Sequence, residues 1–283
     1  MYESARQGAV MRRKWLDSIR AGGGALSLAL VPLLPGARVS PTSVCRDFAA
    51  KWPDLPPLAP INSGKKQLAF RSGESTAFIA KIKAPISWHE LEGPCETCRC
   101  WPDAKNALRD HSSHLIVALT SEDAPVQRAR ALARVCSSIL ATCPQAPGVY
   151  WSAAPLVTPS ATYQKLVNET PPHRTPTELW VDFRVAPGGD GKLRGYTAGM
   201  KAFGHMEFET NDATEGAETL RERLAGLAAY LLENGQVIWD GDKVGDTADA
   251  EKIRVVFSDS AFGREGKVMR LVYSPAKRKG WFR

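Results

Sequence analysis

The chain has 283 residues, 43% hydrophobic and 24% charged, with a formal net charge of +7. That is enough apolar material for one large domain or two small ones, and it excludes a disordered, collagen-like or disulfide-stapled chain. No stretch is long and apolar enough for a transmembrane helix. The basic residues are interleaved with acidic ones except at the two ends (Arg12, Arg13, Lys14 and Lys277, Arg278, Lys279, Arg283), so nucleic acid is not the expected partner. Six cysteines without scaffold spacing point to a reducing, cytoplasmic compartment.

Residues 1–24 read as a flexible extension. Arg12, Arg13 and Lys14 ahead of ALSLALVPLLPGA imitate a secretion signal, but Pro32 and Pro35 break the apolar run and the spacer DSIRAGGG separates it from the charges. Leu26–Leu33 is therefore expected as a buried strand. Ser40 caps a helix that begins with Pro41 and carries Val44, Phe48, Ala49 and Trp52 on one face. The proline-rich stretch 53–60 is a loop. Gln67–Arg71 and Thr76–Lys83 are strands around the turn SGES. Pro102–Arg109 reads as a short helix and His114–Leu119 as a buried strand. Asp123–Cys143 is a strong helix, striped by Val126, Ala129, Ala133, Cys136 and Leu140. Val149–Ser152 is a short strand, and Ser160 caps a helix over Ala161–Asn168.

The segment ETPPHRTPTE reads as a linker. It divides a first unit, 25–170, from a second, 177–275, although a single domain over 25–275 is the alternative. A basic tail, 276–283, follows. In the second unit Leu179–Val185 and Leu193–Met200 are strands around a glycine turn, and Phe203–Thr210 follows. Glu215–Asn234 is an amphipathic helix with the stripe Leu220, Leu224, Leu227, Ala228 and Leu231, stopped by Gly235. Val237–Trp239 is a short strand, and Ile253–Ser258 with Lys267–Tyr273 makes a hairpin. Irregular alternation of strands and helices with several hairpins gives an α+β class with mostly antiparallel sheets and helices packed on one layer, with two related α/β sandwich units as one arrangement of it.

Three constellations could carry chemistry. The first is WHELEGPCETCRCWPDAKNALRDHSSH. Cys95 and Cys98 have knuckle spacing, and twelve residues separate Cys98 from His111, as in a zinc finger. The second half departs from the finger, because His111 and His114 are closer than the usual three to five intervening residues. The competing reading has His111 capping helix-end carbonyls and His114 hydrogen-bonded at a strand edge. Cys98 and Cys100 are too close for an easy disulfide; Cys95 with Cys100 is the more plausible pair. The second constellation is Glu207 and Glu209, which on a strand share one face about 7 Å apart. They suit acid–base work or a cation, or are the wet face of an amphipathic strand. The third, WDGDKVG, is a turn rather than a calcium loop. No nucleophile elbow, phosphate loop, dinucleotide fingerprint or metalloprotease motif occurs. Trp88, Trp101, Trp151, Trp180 and Trp239 are expected to pack.

The ordered run KIKAPISWHELE, WPDAKNALRDHSSHLIVAL, GVYW, ELWVDFRV, YTAGMKAFGHMEFE and VIWDGDKVG resembles the DUF4261 family, uncharacterised bacterial proteins. The resemblance covers Leu26 to Tyr273 and rests on Trp88, His111, His114, Gly199, Phe203, Gly204, Glu207, Glu209, Asp240, Gly241 and Asp242. It implies a soluble α+β protein and supplies no reaction. The Cys95, Cys98, Cys100 run departs from the family pattern.

Two functional readings stand. The first is a non-enzymatic module that binds another protein, such as a toxin immunity or accessory protein, with no cofactor. The second is a metal-dependent enzyme or zinc protein. It would use His111 and His114 with Glu207 and Glu209, or with Cys95 and Cys98.

Overall fold

The computed structural model describes Asp17 and residues 25–61, 67–171, 174–245 and 253–273. The expected N-terminal extension, Asp17 apart, and the basic tail lie outside the described residues. The chain forms two compact units, Met1–Pro172 and His173–Arg283. The α+β class, with two mostly antiparallel sheets, is what the structure shows. No helix among the described residues is long and apolar enough to cross a membrane.

Among the described residues the first unit is built on seven strands: β1 (Ala25–Leu33), β2 (Ala59–Ile61), β3 (Gln67–Ser72), β4 (Ser75–Ile82), β5 (Ser113–Ser121), β6 (Gly148–Trp151) and β7 (Leu156–Pro159). Their order is β2-β3-β4-β5-β1-β6-β7, and every neighbouring pair is antiparallel. The apolar run of residues 26–33 becomes β1, paired along its length with β5. Pro32 is tolerated because β6 meets β1 only around Leu30 and Tyr150.

Among the described residues, five helices belong to this unit: α1 (Pro41–Lys51), α2 (Trp88–Thr97), α3 (Ala104–Arg109), α4 (Pro125–Thr142) and α5 (Ser160–Glu169). The α1 cap is as expected, with Ser43 N–H donating to Ser40 Oγ at 3.3 Å. Helix α4 packs on β1 and β5 and against α1 and α5. Its stripe of Ala129, Ala133, Cys136 and Leu140 is buried. A second apolar cluster joins Leu30, Ile116 and Tyr150 of the sheet to Leu91 of α2 and Leu108 of α3.

The second unit has six strands among the described residues: β8 (Asp182–Pro187), β9 (Leu193–Ala198), β10 (Glu207–Ala213), β11 (Lys243–Val244), β12 (Ile253–Asp259) and β13 (Lys267–Val272). Their order is β11-β12-β13-β10-β9-β8. All pairs are antiparallel except β10 with β13. Helix α6 (Ala217–Asn234) lies on β8 and β9 and buries Leu220, Leu224, Ala228, Leu231 and Leu232. Each fully buried leucine contributes on the order of 1.5–3 kcal/mol.

Several local expectations are corrected. Helix α2 was not expected over the cysteine stretch; Pro94 sits inside it. The end of the proline-rich loop pairs as β2, an edge strand, where a missing N–H costs no ladder bond. Strand β7 was missed. Ser160 is the first residue of α5 and makes no side-chain cap. Thr177–Leu179 is a 3-10 turn, so β8 starts only at Asp182. Val237–Trp239 forms no strand, and Ala49 is exposed.

Candidate functional site

His111 stands in the corner between α3 and β5. The Ile86 N–H donates to His111 Nε2 at 2.8 Å, which makes Nε2 the unprotonated nitrogen. Nδ1–H then donates to the Leu108 carbonyl at 2.5 Å, in the last turn of α3. Burial pushes the imidazole below its usual range, against the two backbone hydrogen bonds. His114, at the start of β5, donates from Nδ1 to the Ala84 carbonyl at 2.8 Å. The two histidines thus lace the segment 84–86 to the α3–β5 corner.

Cys95 lies in the last turn of α2 and Cys98 is its C-cap; both are buried in the apolar cluster under α2 and α3. Burial pushes the Cys95 thiol up to about 11. The finger-like set Cys95, Cys98, His111 and His114 is not assembled, because the backbone already takes both ring nitrogens of His111. Among the described residues, no three or more His, Cys, Asp or Glu side chains are grouped where they could hold a metal ion.

Glu207 and Glu209 do share a face of β10, but that face is not wet: they are 3% and 0% exposed. Each carboxylate is the anchor of a loop. Glu207 accepts from Thr197 Oγ1 at 2.8 Å and from the backbone N–H groups of Gly199 (2.9 Å), Met200 (3.2 Å) and Lys201 (3.3 Å). These donors open the 3-10 turn Met200–Phe203, and Gly199, at φ 126°, adopts a conformation open to glycine. Glu209 accepts from Ser260 Oγ at 2.6 Å and Ala261 N–H at 2.9 Å. The loop that follows is strapped down further by Arg264, which stacks 4.8 Å from the Tyr196 ring centre and donates to the Thr197 carbonyl at 2.6 Å. The four candidate catalytic side chains, His111, His114, Glu207 and Glu209, therefore each bond to loop or turn backbone within their own unit.

The WDGDKVG stretch is a turn, as its composition requires. Asp242 accepts from Trp239 N–H at 2.7 Å, Asp240 accepts from Phe257 N–H at 2.7 Å, and Gly241 has φ 90°. Its carboxylates are spent on backbone donors. The motifs of the second unit are thus loop anchors of one sheet, running from Tyr196 to β13.

That same segment, residues 196–272, matches the family model of DUF4261, a domain of unknown function. The match includes Gly199, Phe203, Gly204, Glu207, Glu209, Asp240, Gly241 and Asp242; Trp88, His111 and His114 lie outside it. No curated protein and no solved structure matches the chain significantly.

Within the DUF4261 segment lies a feature the sequence reading missed. The outer face of α6, with Glu222, Gly226, Leu227 and Tyr230, forms one wall of a groove of about 540 Å³; Ile238, Lys243 and Val244 form the other. Leu227, expected in the buried stripe, is half-exposed and lines this groove. A Cβ placed on Gly226 would meet nothing within 4 Å. Tyr230, in the groove lining, is 51% exposed, and Val237 and Trp239, on either side of Ile238 in the chain, are 37% and 58% exposed. Trp239 does not pack as expected; its backbone N–H donates to Asp242 in the turn, and its side chain is exposed. The readable signals were an isolated glycine inside an amphipathic helix and a tryptophan directly before an Asp-Gly turn.

Proposed function

We propose that the chain is a non-enzymatic protein-binding module, and that it docks its partner in the groove between α6 and the Trp239 turn. One observation carries this reading. Of the four large hydrophobic side chains exposed among the described residues, three fall within positions 230–239: Tyr230, which lines the groove, and Val237 and Trp239, which flank its lining residue Ile238 in the chain. A cluster of that kind leaves apolar area in water that a partner can remove. Trp and Tyr are also the side chains that dominate interface energetics, and the hydrogen-bonded turn fixes the backbone from which Trp239 projects, which lowers part of the ordering cost of binding. Glu222 and Arg223 on the α6 wall and Lys243 opposite give the groove both signs of charge. The fitting occupant is an amphipathic segment of another protein, with an apolar ridge flanked by both signs of charge. In its specific form the partner is a toxin, and the chain is its immunity or accessory protein in the cytoplasm.

A photo-crosslinking residue at position 239 tests the reading, alongside Gly226→Leu and the pair Tyr230→Ala/Trp239→Ala. The expected result is one protein joined at 239, with its affinity falling at least about tenfold, or about 1.4 kcal/mol, in both variants. No cross-linked partner, or a partner held equally well by all variants, overturns the proposal. For the toxin form, the variants that lose the partner must also lose protection of cells expressing it.

A further inference from the structure

We propose that Cys98 and Cys100 form an oxidisable dithiol that closes to an intramolecular disulfide under a hydroperoxide. Cys98 caps α2 with extended backbone (φ −73°, ψ 111°), and the chain turns at Arg99 and Cys100. The turn brings the two Sγ atoms to 3.3 Å. Residues two apart are separated by at most about 7 Å when extended and by less through a turn, which overlaps the Cα separation of about 4.4–6.8 Å that a disulfide needs. The pairing is therefore the one the spacing alone disfavoured.

The two thiols are placed for different tasks. Cys100 is exposed and Cys98 is buried, its Sγ donating to the Val157 carbonyl at 3.0 Å. The neighbouring Cys100 sulfur and burial keep the Cys98 thiol protonated. Cys100, the accessible thiol, is the one a hydroperoxide reaches, and it reacts as its thiolate. Cys100 thiolate attacks a peroxide oxygen and the O–O bond breaks, which gives a sulfenic acid and an alkoxide or hydroxide that takes up a proton. Cys98 then loses its proton and attacks the sulfenic sulfur, and hydroxide leaves as water. In sum, two thiols and one hydroperoxide give one disulfide, one alcohol (water, for hydrogen peroxide) and one water. The sulfurs together lose two electrons and the peroxide gains them.

Closure takes the Cys98 thiol proton away from Val157, on the edge strand β7 against which α2 packs. Trp101 follows immediately, and its ring lies over Gly148 of β6. Tryptophan emission therefore reports the change. This site does not rest on the α6 groove.

The test uses the full chain, reduced and then exposed to stoichiometric hydrogen peroxide, with thiol alkylation and peptide mapping by mass spectrometry. The expected product has lost two hydrogens, carries a 98–100 linkage and reverts with a dithiol reductant. It forms at least tenfold faster than thiols are lost at the buried Cys136 and Cys143. Cys98→Ser should leave a sulfenic acid on Cys100 that a dione probe traps, Cys100→Ser should abolish the reaction, and Cys95→Ser should leave it intact. A linkage mapped to Cys95, a link between chains, or loss no faster than at Cys136 in the unmutated protein overturns the proposal.

Discussion

Thr197 Oγ1 donates to Glu207 Oε2 at 2.8 Å and at the same time accepts from the Phe208 backbone N–H at 2.8 Å. The hydroxyl and the carboxylate form one relay across β9 and β10, and beyond it three backbone N–H groups of the 199–201 turn end on the same carboxylate. Removing the carboxylate would strand those donors inside the fold. Glu207→Ala should therefore destabilise the second unit by about 3–5 kcal/mol, since each orphaned buried donor costs about 1–3 kcal/mol. Glu207→Gln, which keeps an acceptor oxygen but not the charge, should cost about half as much. Urea denaturation followed by circular dichroism distinguishes this anchor role from a catalytic one, which would leave stability unchanged or raised.

His111 gives the first unit a pH dependence of defined sign. Its folded-state affinity for protons is lowered by burial, so the unfolded chain binds the proton more readily. Its contribution is complete above the unfolded value of about 6.5 and is lost as the pH falls from there toward the folded value. Stability should decline on acidification below about pH 6.5, with a slope no steeper than about 1.4 kcal/mol per pH unit from this group. His111→Gln should be less stable at pH 8 and should lack that slope. Denaturation midpoints between pH 5 and 8 for both proteins decide the matter, and an unchanged slope in the variant would remove His111 as its source.

Gly226 is the informative position on α6. It lies in mid-helix on the exposed face, with open space where a Cβ would sit. Gly226→Ala should raise stability by about 0.5–1 kcal/mol through backbone entropy and helix propensity. A rise in melting temperature in Gly226→Ala, together with loss of partner binding in Gly226→Leu, would separate the role of the groove from that of the fold.

Gly148 shows the opposite situation. A Cβ there would lie 2.3 Å from the Thr158 carbonyl oxygen across the β6–β7 pair and 2.7 Å from the Trp101 ring. Gly148→Ala should destabilise the first unit by about 3 kcal/mol. Trp101→Ala in the same chain should relieve only the ring contact and give partial rescue. Full rescue in a double-mutant cycle would show that the backbone clash is absorbed by movement of β7.

Much of the fold was legible because period and punctuation agree along long elements. The α4 stripe, the β1 and β5 runs, the Ser40-Pro41 start and the Gly235 stop all follow from local chemistry. Period-two spacing also put Glu207 and Glu209 correctly on one face. It could not show that this face is closed, because the covering Ser260 and Ala261 lie about fifty residues onward and are brought there by the strand order. Helix α2 was hidden by Pro94, whose local preference the packing of Leu91 and Cys95 overrides. His111 and His114 looked like ligands because residue type and spacing are visible in a sequence, while the carbonyls that claim them are not. The groove stayed invisible for a related reason: apolar periodicity says what a helix can bury, not which of its leucines remains uncovered.

The parallel pairing of β10 with β13 has a consequence for synthesis. Strand β10 sits inside the second sheet, yet one of its two neighbours is made only after α6, β11 and β12. A nascent chain that has reached β12 carries β8, β9, β10 and α6 with one open edge on β10, and the partner for that edge is still in the ribosome. Such an edge is a template for pairing with other chains, and long-range closure of this kind is slow. Stalled or truncated products ending before Lys267 should be the aggregating species, whereas products ending after Tyr273 should not.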